Sequence, residues 1–298
     1  MAITRKAFAE PLKNITNRQT NTTKTQLSEP EKGILNSHLH SDENEICAVS
    51  KYKKQIESYF EGLDIIFNFH EKDISFEMRS LLVDWVIATH EKLNLCDDTL
   101  HFSIFLIDRF LNGRSISTNK LQLVGITALF IASKIEEVIC PDLNSFVLLT
   151  ENNFSEIEIK KAEKYMLYSL DYDIKYVNPL YFLRRVSKAN NYEKKSRKMA
   201  KYFLELMTLY QEFYNFKKSI VCTAAMYLAR KICQSDINKN LFFMYSKLDR
   251  DAIKECFDLL VKLIFTEPRY PNLEQKYEKE PMFSVNIIAR EFAKTHFN

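Results

Sequence analysis

The chain has 298 residues, 46% of them hydrophobic and 13% aromatic, enough apolar material for one large domain or two of roughly 100–150 residues. Its formal net charge of +3 lacks the basic excess of a dedicated nucleic-acid binder. With only four glycines and seven prolines, the composition argues against a fold of tight turns and for helices. Six cysteines (Cys47, Cys96, Cys140, Cys222, Cys233 and Cys256) form no CxxC pair. They read as small buried hydrophobes in a reducing compartment, not as disulfides or metal ligands. MAITRKAFAEPLKN has no apolar signal core, and no run approaches the roughly 18 uncharged apolar residues of a membrane span. A soluble intracellular chain is expected, without nucleic-acid or membrane partners.

Residues 1–48 are rich in Asn, Thr, Lys and Glu and poor in large apolar groups, so a disordered tail is expected there. An N-terminal helix region, 49–75, begins with Tyr52, Ile56, Tyr59 and Phe60 at amphipathic spacing. Asp73 or Ser75 can cap a helix over 78–92. Asp98 precedes TLHFSIFLIDRFL, and Asn112-Gly113 predicts a left-handed C-cap after it. Asn119 with Gln122 resembles a capping box for KLQLVGITALFIASKIEEV, which must end before Pro141. Ser155 with Glu158 forms a better box, stapled by Phe154 and Ile159, for a helix to about Leu170. Asn178-Pro179 then opens a new helix.

VGITALFIASKI (124–135) aligns without gaps on VCTAAMYLARKI (221–232). Gly125, Ala128 and Ala132 fall on Cys222, Ala225 and Ala229, a column of small side chains that lets neighbouring helices approach closely. Each copy predicts the central helix of its own bundle. The expected fold is therefore all-α, two tandem bundles over 76–175 and 176–290.

MRSLLVDWV (78–86), LIDRFL (106–111), KLQLVGITALFIASKIEE (120–137) and the glutamate of KKAEKYML (160–167) resemble the cyclin box in order and spacing. PLYFLRRVSKA (179–189) resembles the opening of the second cyclin fold in B-type, mitotic cyclins. The resemblance implies two five-helix cyclin folds and a regulatory subunit, not an enzyme, that activates a mitotic cyclin-dependent kinase at the G2/M transition. It needs no cofactor or metal and implies a nuclear and cytoplasmic protein.

The five family signature positions match Arg79, Asp108, Leu123, Lys134 and Glu163. By resemblance Arg79 and Asp108 form a buried structural ion pair. Lys134 and Glu163 face the kinase, with Ile135, Leu167 and Tyr172 around them, and both charges are expected to be largely exposed in the free chain. Cyclins commonly carry an aromatic where Ile135 stands. The stripe Met78, Leu81, Leu82 and Trp85 is open to two readings. It is either the core face of its helix or, with Gln122, the shallow groove that takes Arg-x-Leu motifs of substrates and inhibitors. Ala88 stands where an acidic or amide residue often assists that groove. In RKAFAEPLKNITN (5–17), Arg5 and Phe8 resemble a degenerate destruction box for the anaphase-promoting ubiquitin ligase, with Phe8 in place of Leu.

Catalytic signals are missing: there is no GxGxxG or phosphate loop, and HEKLN (90–94) lacks the second histidine of HExxH. A DNA-binding transcription factor built from the same tandem fold would want paired CxxC motifs and a more basic surface. A transcriptional cyclin would lack the FLRRVSK segment.

Overall fold

The computed structural model describes residues 50–234, 239–279 and 282–297. The predicted tail, with Arg5, Phe8 and Cys47, lies outside them. The chain divides into a large unit, Leu63–Glu291, and a small one formed from its two ends. The small unit holds helix α1 (Lys53–Leu63) up to Gly62; the helix has no buried residue, and Tyr52 and Tyr59 are exposed.

The large unit is helical, with no strand among the described residues. Its first bundle comprises α2 (Phe76–Lys92), α3 (Asp97–Gly113), α4 (Leu121–Glu136), α5 (Leu143–Leu149) and α6 (Glu156–Ser169). The second comprises α7 (Pro179–Ser187), α8 (Lys194–Met207), α9 (Lys218–Ile232), α10 (Lys239–Ser246) and α11 (Arg250–Phe265). The short helix α12 (Pro271–Glu278) follows.

Local signals place several helix ends. Ser75 caps α2, its Oγ accepting from Met78 N at 3.2 Å. The Ser155–Glu158 box forms reciprocally: Ser155 N donates to Glu158 Oε2 at 2.9 Å, and Glu158 N donates to Ser155 Oγ at 3.3 Å. The flanking Phe154 and Ile159 are both buried. Asn178 Oδ1 accepts from Leu180 N at 2.9 Å, and Pro179 opens α7 as expected.

Two predicted ends differ. Gly113 stays helical and Arg114 leaves in extended conformation, so no left-handed cap forms. Asn112 is committed elsewhere: its Oδ1 accepts from His70 N at 2.8 Å and its Nδ2 donates to Asn68 O at 3.2 Å. That stitches the segment before α2 to the end of α3. Asn119 does not cap α4 either. It sits inside a 3-10 turn, Thr118–Lys120, and accepts from Ser117 Oγ at 2.6 Å. α3 also starts two residues early, at Asp97, with Cys96 at its N-cap and Asp97 and Asp98 in the first turn, where carboxylates complement the helix dipole.

The repeated segments are the buried axes of the two bundles, α4 and α9. Ala128, Ala132, Cys222, Ala225 and Ala229 are fully buried. At Gly125 a Cβ would lie 2.8 Å from Leu82 Cδ1 and 3.1 Å from Val86 Cγ2. The missing side chain is what lets α2 cross α4 so closely.

Arg79 joins the bundles. It is fully buried on α2, and its Nε and Nη2 donate to the two oxygens of Asp108 on α3 at 2.7 and 2.9 Å. Nη1 donates to Thr208 O, at the C-terminus of α8, and Nη2 also donates to the Tyr214 hydroxyl before α9. The Tyr214 hydroxyl in turn donates to Asp108 Oδ2 at 2.6 Å, and its ring and that of Phe76 lie 5.1 and 5.2 Å from the guanidinium. Burial is the largest single influence and opposes the Arg79 charge, but the Asp108 carboxylate together with the Tyr214 and Tyr270 hydroxyls outweighs it, and the pKa is raised.

Asp84, the second charge in MRSLLVDWV, caps α12. It accepts from Leu273 N at 3.0 Å and Asn272 Nδ2 at 2.9 Å, while burial lifts its pKa against those bonds. Farther along α12, Lys276 binds both oxygens of Glu205 on α8 at 2.8 and 3.0 Å, and the Tyr277 hydroxyl donates to the same carboxylate at 2.7 Å. α12 is thus a strap across α2 and α8.

Arg79→Ala leaves the Asp108 carboxylate without its counter-charge and the Thr208 carbonyl without its donor, and should lower unfolding stability by about 3–5 kcal/mol in a denaturant titration. Arg79→Lys should recover little of that, because an ammonium cannot fork between two carboxylate oxygens and a carbonyl. A second expectation concerns pH. Burial lowers the pKa of His101, fully enclosed on α3, from 6.5 to about 3, with Asp97 acting in the opposite sense. Below pH 6.5 the unfolded chain takes up a proton that folded His101 refuses, so stability falls as pH drops through that window. Denaturation midpoints should show a loss of about 1–2 kcal/mol between pH 6.5 and 5, and His101→Gln should flatten that slope.

Candidate functional site

The first bundle carries two exposed apolar surfaces. One surrounds the C-terminus of α4 and the outer face of α6. Lys134 sits in the last turn of α4, its Nζ 4.0 Å from the centroid of the Phe130 ring. From there it donates to Glu163 Oε1 on α6 at 2.6 Å. The structure therefore brings the two predicted charges together within the free chain. The expectation that both are largely exposed needs correcting: the Lys134 side chain is 42% exposed, the Glu163 side chain only 17%. An ion pair this wet contributes about 0–1 kcal/mol to the fold. Its stronger consequence is to hold two long side chains in one arrangement.

Ile135 is half exposed beside this pair, Leu167 is half-buried, and Tyr172 stands out at 65% exposure. Tyr172 is placed by the end of α6. Asp171 and Tyr172 both take left-handed backbone conformations, with φ of 52° and 55°. Tyr172 N donates to Leu167 O at 3.0 Å and Asp171 N to Tyr168 O at 3.1 Å, a Schellman closure made without glycine. Val138 and Ile139, in the loop after α4, are nearly fully exposed, and sequence reasoning missed them. The signal was available: two β-branched residues directly before Cys140-Pro141, beyond the end of a helix, have no periodic face to bury.

The second surface is the outer stripe of α2. Met78 and Leu81 are exposed, and Trp85 and Ala88 are half-buried. Gln122 is half-buried at the start of the neighbouring α4, its Oε1 3.5 Å from Asn153 Nδ2. Leu82 is a correction. It is buried, packed over Gly125, and belongs to the core face with Val83, Val86 and Ile87. One residue along a helix turns a side chain by about 100°, so Leu81 and Leu82 cannot both point outward. The stripe is thus divided: Met78, Leu81 and Trp85 outside, Leu82 inside.

Among the described residues no group of three His, Cys, Asp or Glu side chains could hold a metal, and no helix is long and apolar enough to cross a membrane. Cys222 and Cys256 are buried, and burial pushes both thiols above their ordinary pKa.

Comparison with known proteins decides the family. Residues 48–175 match the model of the cyclin N-terminal domain, and residues 177–291 that of the cyclin C-terminal domain. The chain belongs to the cyclin family. It is 36% identical over 227 residues to a G2/mitotic-specific cyclin-B of Emericella nidulans, an alignment covering 76% of this chain and 48% of that protein. It is likewise 36% identical over 253 residues to the G2/mitotic-specific cyclin cdc13 of Schizosaccharomyces pombe, covering 83% and 52%. The chain thus spans about half the length of these relatives. A viral cyclin from herpesvirus saimiri has the same fold, with a TM-score of 0.62 at 16% identity over 71% of this chain and 97% of the other.

The divided stripe can be tested on stability alone. Leu82→Ala opens a cavity against Gly125 and should cost about 2–5 kcal/mol, whereas Leu81→Ala should stay within about 0.5 kcal/mol of the parent. Urea titrations followed by the emission of Trp85, the single tryptophan, report both.

Proposed function

We propose that this cyclin is a B-type regulatory subunit that binds and activates a mitotic cyclin-dependent kinase and so controls the G2/M transition. The observation that carries the proposal is the preformed Lys134–Glu163 pair, held at 2.6 Å within a rim of exposed apolar side chains. Its similarity to G2/mitotic cyclins supplies the class of partner. A rigid apolar face with a fixed donor and acceptor suits docking onto a helix and adjacent backbone of another protein, since little side-chain entropy is left to lose on binding. Activation on this reading is differential binding. The cyclin favours the kinase conformation in which the regulatory helix lies inward and the kinase completes its own Lys–Glu pair. Phosphoryl chemistry stays on the kinase, and the cyclin alone is inert.

Two subsidiary readings accompany it. Met78, Leu81, Trp85 and Gln122 form a shallow dock for Arg-x-Leu segments of substrates or inhibitors, without Leu82 and with Ala88 in place of an acidic helper. Arg5 and Phe8 form a destruction box read by the anaphase-promoting ubiquitin ligase, in a protein shared between nucleus and cytoplasm.

Co-purification with a mitotic cyclin-dependent kinase and a histone phosphorylation assay test the main reading. Phosphorylation should require both chains. Lys134→Ala and Glu163→Ala should each weaken kinase binding by about 1–3 kcal/mol while leaving the melting temperature of the free cyclin nearly unchanged. Because the two side chains pair with each other, the double variant should lose less than the sum. Undiminished affinity in both single variants would remove this surface from the kinase contact.

A further inference from the structure

Besides the two surfaces above, the first bundle contains a cavity of about 340 Å³ between the end of α3, the start of α4 and the outer face of α6. Its floor is apolar, made by Phe110, Leu123, Val124, Tyr165 and Met166. Tyr165 meets Phe110 edge-on at 6.0 Å between ring centroids yet stays half exposed, so the floor opens to solvent. The volume lies at the lower end of the range for sites that take small ligands, enough for one or two large side chains.

The rim is charged with one predominant sign. Lys120 and Lys161 stand on it with a single carboxylate, Glu158. That carboxylate is already committed: it accepts from both Ser155 N and Ser155 Oγ at 2.9 Å, and these bonds hold its pKa below the usual value. The cavity also runs against Thr127, whose fully buried Oγ1 has no hydrogen-bond partner. The repeat shows that this hydroxyl is not needed to build a central helix, because the matching position on α9 is Ala224. A buried hydroxyl without a partner is destabilising, so its presence in the cavity wall needs a reason that the helix itself does not supply.

We infer that this cavity is a docking pocket for a short acidic–hydrophobic peptide segment of a partner protein, with one bulky apolar side chain seated on the Leu123–Tyr165 floor and flanking carboxylates on Lys120 and Lys161. The apolar floor selects the bulky side chain and the two rim lysines select acid over base. The Arg-x-Leu dock on α2 selects the reverse, an apolar residue flanked by a cation. Glu163 follows the pocket-lining Ala162 on α6, but neither member of the charged pair lines the cavity, and Lys134 lies about 15 Å along α4 from Val124 by helical rise. The inference stands on the cyclin alone and does not depend on the kinase reading.

The test is fluorescence anisotropy on the full chain, with a fluorescein-labelled peptide Asp-Glu-Leu-Phe-Asp-Glu as probe. This peptide should bind saturably. Replacing Leu-Phe by Ala-Ala, or the four acids by lysines, should abolish binding. Lys161→Glu, an exposed change that leaves the core untouched, should weaken binding at least about fivefold, the loss of one rim charge pair made repulsive. Ala162→Phe, which fills the cavity, should abolish it, with circular dichroism checking that the variant is folded. Met78→Ala, on the separate α2 surface, should leave the affinity for this acidic peptide unchanged. Absence of saturable binding, equal binding of the Ala-Ala peptide, or indifference to Lys161→Glu would overturn the inference. Loss of binding in Met78→Ala would also overturn it, by placing the peptide on α2.

Discussion

The fold depends on one buried cation. Arg79 is tied to Asp108 within its own bundle and to Thr208 and Tyr214 in the next. A guanidinium removed from water is tolerable only when its donors are met and its charge is countered. The Arg79 charge is countered by a carboxylate and its fork is spread over three acceptor groups, two aromatic rings bounding it. Since those partners come from α3, α8 and the turn before α9, satisfying one side chain requires both bundles to be in place together. Asp84 extends the same logic with the opposite sign, offering a carboxylate to the N-terminus of α12. That helix is then held against α8 by Lys276 and Tyr277 on Glu205.

The surfaces available to partners are what remains once the first bundle has satisfied this requirement. α2 spends its inner face on Arg79, Leu82, Val83 and Val86, so of its large apolar side chains only Met78, Leu81 and part of Trp85 are left outside. α4 is buried along nearly its whole length as the bundle axis and emerges only at its ends. At one end it presents Lys134 and Ile135 beside Glu163; at the other it leaves the cavity above Leu123. The position of each surface follows from where a central helix stops being covered by its neighbours.

Where sequence reasoning failed, a residue with a sound local role had been recruited to a different one. Asn112 has the chemistry of a helix end but holds the chain at residues 68 and 70 instead. Asn119 could cap α4 but lies inside a 3-10 turn. Leu82 shares a helical repeat with Met78 and Trp85, yet the absence of a side chain at Gly125 draws it inward. Lys134 and Glu163 are expected by resemblance to face a partner and to be largely exposed, and only the crossing of α4 and α6 makes them a pair.

The sequence by itself determined the helical class, the duplication and the better helix boundaries. Those rest on signals a few residues long: a 3.6-residue period, a serine three residues before a glutamate, a proline at a first turn, a column of small side chains repeated in two places. It also placed Arg79 opposite Asp108 by family resemblance. The tertiary structure alone decided that Arg79 also reaches Thr208, 129 residues away, that Asp84 caps α12, and which side of the α2 stripe meets solvent. Hydrogen bonds within one helical turn are dictated by local backbone geometry and can be read from residue order. Partners a hundred residues apart are chosen by which faces the packed helices bring together, and no local spacing encodes that choice.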